Sequence, residues 1–158
     1  MIPFGLNLLI AIIWLVLSQS PSAIVFGIGF VIGFALVAVF RTVIGGESYV
    51  RRCFAFVRFV LLFTREFIVA NFKVAFVVLF RSRASLHPNF ITYDVTGLTR
   101  HEILVLSYCI SLTPGTTTVN ITPDFNTLIL HSLDADRPDQ IRAELDRTLK
   151  RNLLAFTR

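Results

Sequence analysis

Two uncharged apolar runs joined by only five residues constrain this chain more than any other feature. IPFGLNLLIAIIWLVL (2–17) and AIVFGIGFVIGFALVAVF (23–40) contain no Asp, Glu, Lys or Arg, and SQSPS (18–22) links them. Pro3 suits a helix start. A link this short folds two helices back antiparallel. At 1.5 Å per residue the runs reach about 24 and 27 Å, close to a bilayer core of about 30 Å, so a transmembrane hairpin is expected. A signal peptide would carry a basic n-region and a small-residue cleavage site; here no Lys or Arg precedes the first run and a second run follows at once. Gly29 and Gly33 form a GxxxG and Gly27 adds a third small residue, a spacing that lets another helix approach closely. The partner on that face is either the chain's own first helix or another subunit.

The rest of the first half agrees with membrane residence. Hydrophobic residues make up 54% of the 158 and charged residues 16%, with a mean hydropathy of +0.72. Residues 1–83 hold eight Lys and Arg against two acids, whereas residues 84–158 hold seven against eight. The basic excess therefore lies beside the apolar segments, where anionic lipid headgroups are its natural partner; the part that would bind nucleic acid is nearly neutral. Cys53 and Cys109 have no CxxC partner and are expected as reduced, small apolar residues.

After RTVIGGESYVRR (41–52), read as a loop, CFAFVRFVLLFTREFIVANFKVAFVVLF (53–80) carries eight of the sixteen Phe. At about 100° per residue, with Arg58 as zero, Arg51 falls near +20°, Arg65 near −20°, Lys73 near +60° and Glu66 near +80°. They make one narrow charged stripe, and Asn71 points away from it. Such a helix lies in the interface with its charges toward headgroups, or spans with the stripe turned to a partner or wet cavity, or is buried in a soluble domain. Arg41, Arg51 and Arg52 precede it and Arg81 and Arg83 follow it, so both ends look cytoplasmic and the C-terminal part is placed on that side.

Residues 84–158 read as a small α+β domain of order β-α-β-β-α. FITYDV (90–95) alternates. Thr99 to Glu102 is a capping box that opens a helix running to about Leu112. Thr113 precedes Pro114, which disfavours helix there, and Pro114-Gly115 fits the centre of a type II turn. TTTVNI alternates again, Asp124 to Asn126 turns the chain, and TLILHSL (127–133) returns as the hairpin partner. Pro138 leads into Ile141, Leu145, Leu149 and Leu153 on one helical face. The helices are expected to cover one side of a three-stranded sheet.

Little chemistry is on offer. His87, His101 and His131 are well separated, with no Cys at ligand spacing, so no metal site is expected. No P-loop, GxGxxG or GxSxG is present, and no cofactor or small-molecule substrate site is implied. The Ser and Thr of 111–118 have no activating base. Glu66 is a candidate proton relay by virtue of its depth, but Arg65 adjoins it and Lys73 shares its face, which favours an ion pair or a subunit contact.

Taken together, LSQSPSAIVFGIGFVIG (17–33), REFIVANFKVAFVVL (65–79), LTRHEILVLSYCISLTPGTTTVNI (98–121) and TLILHSLD (127–134) resemble the E subunit of the multisubunit Mrp/Mnh-type cation/proton antiporter. The matching positions are Ser20, Pro21 and Ser22; Glu66, Ala70 and Asn71; Leu112, Thr113, Pro114, Gly115 and Thr116; and His131 and Asp134. Thr117 and Asn120 depart mildly from the family pattern. The resemblance implies a bacterial or archaeal inner-membrane complex exchanging Na⁺ or another monovalent cation for protons. It implies an accessory, non-enzymatic subunit without the main ion path, partnered by the other subunits and the bilayer. The alternatives are direct ion transfer through Glu66 and its basic stripe, or a stand-alone membrane-surface binding module. The expected architecture is a membrane domain over 1–83, with helices at 2–17, 23–40 and 53–80 (the third amphipathic), and a cytoplasmic domain over 84–158.

Overall fold

The computed structural model describes residues 2–82 and 85–158. Its contacts gather into two compact units, Met1–Phe54 and Ala55–Arg158. The composition boundary expected between residues 83 and 84 lies outside the described residues, as does the Arg83 of the basic flank.

The first unit is a helical hairpin. α1 (Ile2–Leu17) and α2 (Ala23–Val39) pack on each other, and Ser22 caps α2 by accepting a 3.3 Å hydrogen bond from the Val25 amide. Close approach occurs at the two buried glycines. A Cβ on Gly29 would lie 2.8 Å from Trp14 Cβ and 3.1 Å from the Ala11 backbone, and one on Gly33 would collide with Asn7. Asn7 is fully buried and donates to the Tyr49 hydroxyl at 2.8 Å. Tyr49 in turn meets Phe4 and Phe34 edge-on.

The apolar runs form helices, as expected, but short ones, and one further expectation is corrected. Among the described residues no helix is long and apolar enough to cross a membrane. α1 and α2 have 16 and 17 residues, about 24 and 26 Å of helix, and the 34-residue helix Glu47–Phe80 is interrupted by charge. The stretch 41–52 is also not a loop. Arg41–Ile44 form a single turn (α3), ended by Gly45 in the left-handed region at φ 68°, and α4 then runs unbroken from Glu47 to Phe80. Glu47 in the first turn complements the helix dipole, and SYVRR offers nothing that breaks a helix.

The second unit is built on a three-stranded antiparallel sheet of order β1-β3-β2, from β1 (Asn89–Asp94), β2 (Thr116–Ile121) and β3 (Thr127–Ser132). β3 is central because both neighbours pair with it, Ile91 opposite Leu130 and Thr118 opposite Leu130. Its alternation buries Leu128, Leu130 and Ser132 on one face. α5 (Arg100–Leu112) opens on the full capping box: Glu102 N–H donates to Thr99 Oγ1 at 3.3 Å and Thr99 N–H donates to Glu102 Oε2 at 2.7 Å. α6 (Pro138–Leu145) continues through a π turn, residues 146–150, into α7 (Arg151–Thr157). Leu145, Leu149 and Leu153 are buried with Ile103, Leu106 and Ile110 against the strand residues Ile91, Tyr93, Leu128 and Leu130. Buried Asn152 donates to the Arg147 and Thr148 carbonyls at 3.2 and 2.9 Å, satisfying oxygens at the π turn.

Side chains bond some of the outward backbone groups at both sheet edges. On β1, Arg142 Nε donates to the Thr92 carbonyl at 2.8 Å and Lys150 Nζ to the Asp94 carbonyl at 2.9 Å. On β2, the Thr118 amide donates to Ser111 Oγ at 3.1 Å, and the pairing register shifts at Val119.

Candidate functional site

The 55–80 part of α4 is not a bystander to the sheet domain. Phe59 is 7% exposed and belongs to the domain's core, with Phe63 packed against it. Phe156 of α7 lies 5.3 Å from the Phe56 ring and 5.2 Å from the Phe59 ring. Further along, Lys73 meets Glu144 at 3.6 Å and Arg81 Nη1 meets Asp134 Oδ2 at 2.7 Å. A Cβ on Gly115 would touch Val74 at 3.5 Å.

Between these contacts lies a cleft of about 160 Å³. Glu66, Ala70 and Lys73 line it from α4, Thr113, Pro114 and Thr116 from the turn after α5, and Ser132 and Asp134 from the end of β3. Glu144, Leu145, Thr148 and Leu149 close it. Residues that the sequence scatters over three motifs are thus neighbours.

Most polar groups in the cleft have a structural partner. Thr113 ends α5 as its C-cap and its hydroxyl donates to the Cys109 carbonyl at 2.9 Å. Pro114-Gly115 turns the chain with Gly115 at φ 98°, and the Thr116 amide closes the turn on the Thr113 carbonyl at 3.4 Å. The Leu133 amide donates to the Gly115 carbonyl at 2.8 Å. Ser132 Oγ donates to the Asp134 carbonyl at 3.2 Å. Glu66 accepts from Arg65 Nη1 at 2.8 Å, and Thr148 donates to the Glu144 carbonyl at 2.6 Å. The exception is Asp134 Oδ1, buried without a hydrogen-bond partner among the described residues while Oδ2 holds Arg81.

Other expected site residues fall elsewhere. Asn71 is exposed and bonds back to the Phe67 carbonyl of its own helix at 2.7 Å. Arg58 is exposed and makes no ion pair among the described residues. Gly27 is exposed, with open space where a Cβ would be. Ser20 and Pro21 are exposed in the hairpin turn, with the Ser20 amide 3.4 Å from Ser18 Oγ. His131 is half-buried on the outer sheet face, its ring 5.2 Å from that of Phe90.

One cluster is not foreshadowed by the sequence. His87, Asp134 and Asp136 place a ligand-capable atom each within 4.8 Å of one another. Other contacts occupy them: His87 Nδ1 lies 2.9 Å from Asp136 Oδ1, and Asp134 holds Arg81 in an ion pair. The Ala135 amide bonds the His87 carbonyl at 2.9 Å and brings these segments side by side, a closure that histidine spacing along the chain does not reveal.

Electrostatics is sharpest away from the cleft. Arg158 pairs with Glu102 at 3.2 Å, and Thr157 donates to the same carboxylate at 2.7 Å. The Arg158 guanidinium, with the Thr99 and Thr157 donors, holds the Glu102 carboxyl down at about 2 although burial opposes this. Burial raises the Tyr93 phenol far above its usual range, helped by the hydrogen bond it donates to Asp146 at 2.7 Å. Burial also raises the Cys109 thiol, consistent with an inert core residue.

Residues 7–156 match a family model whose description reads Na+/H+ ion antiporter subunit. Among curated relatives, the E subunit of the Na(+)/H(+) antiporter of Alkalihalophilus pseudofirmus is 31% identical over 97% of this chain and 96% of its own length. The corresponding E1 subunit of Staphylococcus epidermidis is 30% identical, over 95% and 96%. A chain of the Mrp complex from Dietzia sp. DQ12-45-1b superposes with a TM-score of 0.50 at 26% identity, covering 65% of this chain and 96% of that one. A chain of the archaeal membrane-bound sulfane sulfur reductase complex does so with the same score and identity, over 84% and 83%. With a family match over nearly the full length and relatives aligned almost end to end, this chain belongs to the family of E subunits of the multisubunit Mrp/Mnh-type Na⁺/H⁺ antiporter.

Proposed function

We propose that this chain is an accessory component of its antiporter complex, one that anchors and shapes the assembly while the main ion path runs through other subunits. The observation that carries this reading is the use made of the family motifs. Leu112 to Thr116, Ser132 and Asp134 turn, cap and bridge the sheet domain, and their polar atoms are largely spent on one another and on α4. A transfer route needs a chain of polar groups with exchangeable partners at membrane depth. The α1–α2 hairpin contributes one buried amide, Asn7, between apolar helices.

In this reading α1 and α2 enter the bilayer as a hairpin, short enough to need local thinning or flanking polar groups. Gly29 and Gly33 are consumed by α1, which leaves the exposed Ile, Leu, Val and Phe side chains of the hairpin for lipid or neighbouring subunits. The sheet domain lies on the cytoplasmic side, as the basic residues at 41, 51, 52 and 81 favour.

Affinity purification of the tagged chain in mild detergent tests the proposal. Recovery with the large antiporter subunits is expected, and recovery alone would sink it. Glu66→Gln separates it from direct ion transfer: the complex should assemble and its antiport should persist, whereas an assembled complex without antiport would assign Glu66 to the ion route.

A further inference from the structure

We infer that α4, over residues 55–80, lies flat on the bilayer surface, its outward apolar stripe sunk to the headgroup–acyl boundary of anionic lipid and the sheet domain riding on its opposite face. The inference rests on the membrane reading above and names the surface on which this helix sits.

The helix has two distinct long faces. With Arg58 at zero and about 100° per residue, the side chains that meet the domain (Phe59, Phe63, Glu66, Ala70, Lys73 and Val74) fall between about +60° and +160°. Their contacts run the length of the segment, from Phe56 against Phe156 to Arg81 on Asp134. The opposite sector, about −40° to −100°, holds only Val57, Leu61, Ile68, Phe72, Ala75 and Leu79. All six are exposed, Leu61 by 65% and Phe72 by 74%. From Val57 to Leu79 this stripe is about 33 Å long, and none of its members is polar.

Two arguments identify the occupant. First, a crossing orientation is unavailable to this segment. The domain flanks the helix from Phe56 to its end, so this segment passing through the bilayer would carry Asp139, Arg142, Asp146 and other ionised groups of the domain into hydrocarbon. Lying in plane keeps the domain in water. Second, the charge at the border matches lipid. Arg58 and Arg65 lie near 0° and −20°, between the domain face and the apolar stripe, at the level where long basic side chains reach phosphates. Arg58 has no carboxylate partner among the described residues, and the Arg65 side chain is 70% exposed although it touches Glu66. An apolar helix of a partner protein would bury the stripe but would leave this row of cations without counter-charge.

The test is depth measured along the helix. The full chain, with Cys53→Ser and buried Cys109 retained, is placed in nanodiscs of phosphatidylethanolamine and phosphatidylglycerol. Single spin labels are introduced at Leu61, Ile68, Phe72 and Leu79, all exposed positions, and relaxation by oxygen and by a water-soluble nickel chelate is compared. All four labels should report one shallow depth, about 5–10 Å below the phosphates. Arg58→Glu with Arg65→Glu should raise nickel access at all four, and more in phosphatidylglycerol discs than in neutral ones. A depth that changes steadily by about 27 Å from position 61 to 79 would mean a crossing helix and overturn the inference. So would labels open to nickel throughout, or labels shielded from both reagents only when the other subunits are present, the signature of a protein partner. Co-purification reports separately on membership of the complex, so the two readings fail independently.

Discussion

The hairpin of α1 and α2 and the sheet domain behind α4 are held together by opposite means. In the domain, cohesion comes from groups that are present: a capping box, Leu128 and Leu130 in a closed core, and Glu102 clasped by Arg158 and Thr157. In the hairpin, cohesion depends on what is missing. Gly29 and Gly33 have no Cβ, and α1 occupies that space. Close backbone approach lets two apolar helices pack without relying on large side chains between them. One part of the chain is therefore damaged by removing atoms and the other by adding them.

The comparison can be broken from either side, and the chain's single Trp helps, because Trp14 reports on the hairpin while hydrogen exchange on β3 reports on the domain. The largest effect is expected from Leu130→Ala, which leaves a cavity in a fully buried position and should cost about 2–5 kcal/mol, seen as faster exchange on β3 with Trp14 fluorescence unchanged. Glu102→Gln should cost about 1.5–3 kcal/mol, since hydrogen bonds to a charged group are lost. The same residue sets a pH dependence. Its folded pKa, about 2, lies below the ordinary glutamate value of 4.5, so its stabilisation is complete above about pH 5 and disappears as the pH falls toward 2. Acid unfolding of the Glu102→Gln chain should be flatter across that window. Gly33→Leu should cost about 1–3 kcal/mol by overpacking and alter Trp14 emission while β3 exchange stays the same. The smallest effect belongs to Gly27→Ala, where nothing lies within 4 Å; a change under about 1 kcal/mol, in the stabilising direction, is expected from helix propensity. If Gly27→Ala proved as damaging as Gly33→Leu, the hairpin would not be packed through the Gly29 and Gly33 face alone.

What is legible in the sequence follows from how local each signal is. The capping box at Thr99, the turn at Pro114-Gly115 and the alternation of β3 each state their structure within a few residues, and the structure reproduces them. The cleft is only half legible. Its residues stand out as separate motifs, but nothing local tells that Glu66 and Ala70 would face Thr113 and Asp134. Phe59 and Phe63 are hidden for a different reason: in a segment with eight Phe, no pattern distinguishes those that enter a core from those that face outward. The π turn is masked because Leu145, Leu149 and Leu153 keep a spacing that an ordinary helix would also bury. The start of α4 is concealed because Gly45-Gly46 reads as loop, whereas one left-handed glycine suffices to end α3 and the next helix begins two residues later.

The partly occupied edges of the sheet limit how this protein can meet its neighbours. With the Thr92 and Asp94 carbonyls already bonded by Arg142 and Lys150, and the Thr118 amide by Ser111, no strand of another protein can extend the sheet without first displacing those side chains. Backbone pairing is indifferent to sequence and would let identical copies stack. Recognition through helix faces and side chains is selective, so occupying these edge groups favours side-chain recognition over strand addition.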